Sequence, residues 1–180
     1  MRPPTLALSI ALAVPTVAGT VGCSSTERPD GGSGLLHEGA SVPPLQATAH
    51  DGSQIDLARG EETRVVYFYP KDATPGCTKE ACAFRDAWER YRTAGISVIG
   101  VSADSLESHR IFADEHRLPF PLVSDEDGRW AQAFGVPTTM GMTKRVTFLL
   151  HAGKVAKRYP DVDPALHADE VLRDAQALAR

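Results

Sequence analysis

The stretch Arg64–Asp86 reads RVVYFYPKDATPGCTKEACAFRD, and a change of period inside it decides the fold. Arg64–Tyr69 is an unbroken run of β-branched and aromatic residues, the composition of a strand covered on both faces. Pro70 ends the run. A loop bounded by Pro70 and Pro75 follows. Ala81, Phe84, Trp88 and Tyr91 then recur at helical spacing, which predicts an amphipathic helix from about Thr78 to Thr93. A buried strand that feeds a helix through a short loop is the building unit of an α/β sheet. Sites in such sheets lie beyond the carboxyl ends of the strands, so the Pro70–Cys77 loop is where chemistry is expected.

Working outward, Ser97–Ser102 (SVIGVS) predicts a second buried strand, Ser105–His116 a helix ended by Leu118-Pro119, Leu122–Ser124 a short strand and Gly128–Phe134 a short helix. Arg145–Leu150 and Val155–Tyr159 flank His151-Ala152-Gly153-Lys154 and read as a hairpin. Asp163-Pro164 predicts the cap of a last helix that turns Val171, Leu172, Ala175 and Leu178 inward. On the amino-terminal side, Leu45–Ala49 and Ser53–Leu57 flank Asp51-Gly52, a strong hairpin turn. This order predicts one α/β domain over residues 35–180, a central mixed sheet flanked by helices, for which a thioredoxin-like architecture is the best match.

The residues before that domain read differently. Met1-Arg2 and an apolar run from Leu6 to Val21 have the pattern of a secretory signal over residues 1–22. Pro15 near the middle and the shortness of the run argue against a permanent membrane span. The run ends in Thr20-Val21-Gly22-Cys23, which resembles the lipobox of bacterial lipoproteins, with Thr20 where that family usually has Leu. The resemblance implies cleavage before Cys23 and lipid attachment to it; an ordinary signal peptide that leaves Cys23 a free thiol is the alternative. Ser24–Gly34 (SSTERPDGGSG) has no apolar residue, so residues 23–34 are expected to form a flexible linker between an anchor and the folded domain. The chain is thus expected to be exported, on the periplasmic side, and membrane-attached only through lipid.

Charge and cysteine count narrow the function. With 19 basic against 23 acidic residues and no basic cluster, the chain lacks the electrostatic footprint of a nucleic-acid binder. Three cysteines are too few for a disulfide scaffold. Cys77 falls at the first turn of the predicted helix, where unpaired N–H groups and the helix dipole favour an anion. A thiol there is expected to ionise readily, and the thiolate is the nucleophile. Thr74 lies three residues upstream, its hydroxyl within reach of the sulfur. Lys79-Glu80 and Arg85-Asp86 read as a solvated helix face, and Trp88 and Tyr91 as core. His37, His50, His109, His116, His151 and His167 show no metal-ligand spacing and read as surface or loop groups. Met140 and Met142 fall in a loop near Arg145, to line a pocket or to pack.

The segment Pro70–Cys77 resembles the active-site loop of the peroxiredoxins, P-x-x-x-T-x-x-C, met here by Pro70, Thr74 and Cys77. With Cys82 five residues on, it is more closely similar to the bacterioferritin comigratory protein, or peroxiredoxin Q, group. Arg145-Val146-Thr147-Phe148-Leu149 matches the family's R-x-T-F-L strand and its active-site arginine, and the likeness runs from about Leu35 to Leu178. Ala73 stands in place of a common Asn, and His151 in place of a common Asp. The resemblance implies a thiol-dependent peroxidase without cofactor or metal. Cys77 would attack a hydroperoxide, Thr74 and Arg145 would hold it and stabilise charge as the O–O bond breaks, and Pro70 would shape the pocket. The Cys77 sulfenic acid would condense with Cys82, and a thioredoxin or thioredoxin-like reductant would recycle the disulfide. The group also implies a monomer. Residues five apart on an intact helix have Cα atoms about 8–9 Å apart, whereas disulfides span roughly 4.4–6.8 Å. The first turns of the helix are therefore expected to unwind before Cys77 and Cys82 join.

Three rival readings remain. A thioredoxin-like oxidoreductase needs C-x-x-C, shorter than the spacing here. A copper metallochaperone of related fold uses C-x-x-x-C and a distal His, one residue shorter than this gap. A redox-sensing or structural domain would oxidise slowly and without turnover.

Overall fold

The computed structural model describes residues 26–59 and 62–178; Cys23 and the signal-like run lie outside them. A small antiparallel hairpin, β1 (Gln46–Thr48) and β2 (Gln54–Asp56), precedes the main sheet. The sheet itself comprises β3 (Thr63–Phe68), β4 (Ile96–Ser102), β5 (Leu122–Ser124), β8 (Val146–His151) and β9 (Lys154–Tyr159), in the order β5-β4-β3-β8-β9. β3, β4 and β5 run parallel, and β8 and β9 are antiparallel to their neighbours. The mixed sheet and the hairpin before the last helix are as the sequence predicts.

Alternation along β3 divides the core. Val65, Tyr67 and Tyr69 face α1 (Pro75–Asp86), α2 (Trp88–Thr93), α3 (Leu106–His116) and α5 (His167–Leu178). Val66 and Phe68 face α4 (Arg129–Phe134) and the β1–β2 hairpin, with Trp130, Phe134 and Phe148 filling the second core. Both faces of the strand are therefore closed to water, as its unbroken apolar run requires.

Several details differ from the sequence reading. The helix expected over 78–93 begins earlier, at Pro75, because proline suits the first helical turn. It is also interrupted at Ala87, giving α1 and α2. Leu178, the last residue of α5, is exposed rather than inward. The segment holding Met140 and Met142 is a tight hairpin, β6 (Thr138–Thr139) and β7 (Met142–Thr143), that leaves both side chains exposed. The described part of the expected linker, residues 26–34, is a hydrogen-bonded turn. Arg28 Nη1 donates to Gly34 O at 2.7 Å, and Gly34 O sits where any Cβ on Gly135 would be. Polar contacts hold this turn where no apolar side chain is present to do so.

Candidate active site

Cys77 is the third residue of α1, after the N-cap Thr74 and the first-turn Pro75 and Gly76. The first helical bond runs from Thr78 N to Thr74 O at 2.8 Å. The N–H groups of Gly76 and Cys77 therefore precede the ladder, and the positive end of the helix dipole lies at the sulfur. The sulfur is buried, and Arg145 Nη2 donates to it at 3.2 Å. Arg145 is brought there by β3–β8 pairing: Phe68, at the end of β3, pairs with Val146, so the residue before β8 arrives beside the loop that leaves β3. Gly76 makes room, because a Cβ at that position would lie 3.3 Å from Arg145 Nη2.

The other guanidinium nitrogen, Nη1, is paired with Glu80 Oε2. Glu80 is completely buried, which overturns the solvated-face reading of Lys79-Glu80. The helical period explains it: Glu80 lies three residues after Cys77 and four before Phe84, on the face those two turn to the sheet. Burial drives the Glu80 carboxyl up to about 7, even though Arg145 pulls it down. Burial opposes the charge on Arg145 as well, but Glu80 and Cys77 outweigh it and hold the guanidinium above its usual range.

The loop before the helix is fixed by Asp72. Its carboxylate accepts from Tyr69 Oη (2.7 Å), from Ser108 Oγ (2.7 Å) and from His109 Nδ1 (2.9 Å), and its backbone N–H donates to Asp104 Oδ2 (2.9 Å). Burial would raise this carboxyl, but the hydrogen bonds from His109, Ser108 and Tyr69 hold it below the usual carboxylate range. At the next residue, Ala73 has φ +56°, a left-handed conformation that suits Asn far better than Ala. The common Asn at this position of related loops thus has a backbone reason. Thr74 Oγ1 donates to Lys71 O at 3.0 Å instead of reaching the sulfur. Having spent its proton there, the hydroxyl presents only acceptor lone pairs to a ligand. Pro70 is half-buried at the strand exit, where Thr143 Oγ1 donates to Tyr69 O at 2.8 Å.

Cys82 is half-buried on the intact α1, and both it and Cys77 are free thiols. The structure thus brings Cys77, Thr74, Arg145 and Pro70 to one end of the sheet and leaves Cys82 further along the helix. The sequence reading missed Glu80, Asp72 and two histidines. His109 and His167 are both fully buried, not surface groups. His109 ties α3 to the loop, while His167 stands edge-on to Phe84 and Tyr159 at 5.8 and 5.2 Å. The helical spacing of residues 77, 80, 81 and 84 was the signal available for Glu80; no local pattern marks the histidines.

The arrangement is a buried thiol sulfur held by a guanidinium and a helix N-terminus beside a hydroxyl acceptor. It fits attack on a small polar electrophile whose leaving atom gains negative charge. Comparison with known proteins agrees. The AhpC/TSA family matches residues 39–158. The chloroplastic peroxiredoxin Q of Sedum lineare is 40% identical over 146 residues, covering 78% of each chain. The solved peroxiredoxin Q of Xanthomonas campestris superposes with a TM-score of 0.73 at 36% identity, covering 79% of this chain and 99% of that one. The peroxidoxin BcpB of Mycobacterium tuberculosis superposes with a TM-score of 0.72 at 32% identity, covering 78% and 97%. The chain belongs to the AhpC/TSA family and is a peroxiredoxin, a thiol-dependent peroxidase.

Proposed function

We propose that Cys77 is the sulfur that attacks the hydroperoxide and that Cys82 resolves the resulting sulfenic acid as a Cys77–Cys82 disulfide. The observation that carries this reading is the 3.2 Å contact from Arg145 to the Cys77 sulfur at the amino end of α1. Arg145 donates to the sulfur and to the peroxide oxygens, while Thr74 Oγ1 accepts from the peroxide O–H. The two side chains thereby align the O–O bond with the incoming sulfur. Pro70 walls the pocket at the strand exit. The S–O bond forms as the O–O bond breaks, the leaving oxygen takes a proton, and the sulfenic acid then condenses with the Cys82 thiol and releases water. Because both cysteines lie within one intact helix, condensation requires α1 to unwind locally. A thioredoxin-like dithiol returns the disulfide to two thiols.

The reading extends to location. Residues 1–22 act as a signal, Cys23 receives lipid, and the enzyme works as a monomer tethered outside the cytoplasm, within reach of lipid as well as hydrogen peroxide. The small residues before Cys23 and the apolar run from Leu6 support this. Two experiments test the proposal. Hydroperoxide consumption with a dithiol reductant should be abolished in Cys77→Ser and should fall by ~10²–10³-fold in Arg145→Ala, the scale of losing one oxyanion-type donor. Metabolic labelling with a radioactive fatty acid should mark the full chain and not Cys23→Ala; equal labelling of both would reject the anchor.

A further inference from the structure

Arg145 stands between two acids. One guanidinium nitrogen contacts the Cys77 sulfur, the other the Glu80 carboxylate. Glu80 is shut away from solvent, and its second oxygen, Oε1, has no hydrogen-bond partner among the described residues. Among the described residues, no second positive charge is paired with it. Cys77 and Phe84 flank it on α1. From β3 comes Tyr67, whose hydroxyl is held neutral by burial and by Glu80 itself. Paired with Tyr67 across the sheet, Thr147 of β8 is buried with its hydroxyl unpartnered among the described residues, and Tyr159 of β9, paired in turn with Thr147, donates its hydroxyl to Asp174. On α5, His167 stands against Phe84, and burial and the Arg145 charge push it down to about 4, so it is neutral. Among the described residues, Arg145 is the one charged group that acts on the Glu80 carboxyl.

One half-buried cation cannot fully compensate two buried anions, because each unpaired charge in the interior carries a desolvation cost of several kcal/mol. We propose that Cys77 and Glu80 share a single negative charge across Arg145, so that Glu80 holds a proton while Cys77 is a thiolate and gives it up when the sulfur is oxidised. This rests on Cys77 being the attacking sulfur. The thiolate attacks the terminal oxygen of ROOH, the S–O bond forms and the O–O bond breaks. Sulfur loses two electrons, which the peroxide gains. The products are the neutral sulfenic acid and RO⁻, and the proton that converts RO⁻ to ROH is matched by the one Glu80 releases. The negative charge thus moves from sulfur to carboxylate without leaving the guanidinium. The carboxyl value of about 7 with one partner cation places this exchange within the working range of the site. The reverse movement follows reduction: as the thiolate is restored, Glu80 takes its proton back, so each cycle leaves the buried charge unchanged.

The test uses the full chain carrying Cys82→Ser, which stops at the sulfenic acid, in weakly buffered solution near pH 7 with an indicator dye. One equivalent of hydrogen peroxide is added. With Glu80 present, the solution should lose much less than one proton per peroxide consumed. With Glu80→Gln, which keeps an acceptor for Arg145, it should lose one. Equal uptake in both overturns the proposal. Difference infrared spectra of the Glu80-containing protein supply a readout that does not depend on the variant folding. The protonated-carboxyl band should disappear on oxidation, and an unchanged band overturns the proposal. Cys77→Ser separates the two claims: peroxide consumption that survives in it defeats the assignment of the attacking sulfur, whatever Glu80 does.

Discussion

The carboxylate of Asp72 lies 2.9 Å from Nδ1 of His109, with both side chains withdrawn from solvent, so the loop that carries Thr74 and leads into the helix of Cys77 is tied to α3. Asp72→Ala removes this tie and leaves Tyr69 Oη and His109 in the interior without their acceptor. We expect a loss of about 3 kcal/mol of folding free energy, the scale of breaking a buried charged hydrogen-bond set. Denaturant unfolding measures it. A midpoint within error of wild type would mean that the network is not holding the loop.

Ala73 sits at φ +56°, where a non-glycine residue other than Asn or Asp carries about 1–2 kcal/mol of strain. Ala73→Asn should therefore raise stability by roughly 0.5–1 kcal/mol with peroxidase activity retained, and Ala73→Val should lower it. The pair of unfolding midpoints checks both signs.

Gly76→Ala separates stability from rate. Alanine is favoured over glycine in a helix by up to about 1 kcal/mol, so the variant should be no less stable than wild type. Its Cβ would nevertheless press on Arg145 Nη2 at 3.3 Å and displace the guanidinium from the sulfur. Stopped-flow kinetics should show peroxide reduction slowed by ~10-fold, since small misplacements of a positioning group are costly. A variant that is both stable and fully active would show that the guanidinium has room to spare.

Glu80 gives stability a pH signature. Its folded-state carboxyl, at about 7, lies above the ordinary 4.5. Between those values the folded chain holds a proton that the unfolded chain has lost. The favourable contribution is therefore complete below the unfolded value and disappears as pH rises through the folded one. Glu80→Gln cannot titrate, so its stability relative to wild type should improve across this window by on the order of 3 kcal/mol. Unfolding curves at pH 4.5 and pH 8 measure it; a constant difference would mean that folding does not raise the Glu80 carboxyl.

The loop was legible because its residues are local. Pro70, Thr74 and Cys77 fall within eight residues, and the strand before them and the helix after them are each marked by period. The registers that matter were not. Arg145 reaches Cys77 only through β3–β8 pairing, which one sequence does not specify, so its place rested on resemblance until the pairing was seen. Glu80 was misread because Lys79-Glu80 looks like an ordinary charged pair, although the Cys77–Phe84 face already included it. His109 and His167 are buried by tertiary packing against Asp72 and between Phe84 and Tyr159, and neither contact leaves a trace in the neighbouring residues. The turn at 26–34 is a similar case, since Arg28 is held there by carbonyl oxygens and not by apolar burial.

The most direct test follows intact mass and free thiols within seconds of adding one equivalent of hydrogen peroxide to the reduced chain. Wild type, Cys77→Ser and Cys82→Ser are run side by side. The account predicts that wild type loses two hydrogens and both the Cys77 and Cys82 thiols, that Cys77→Ser does not react, and that Cys82→Ser gains one oxygen as a sulfenic acid. Retention of both thiols in wild type for minutes, or an unimpaired reaction in Cys77→Ser, would contradict it.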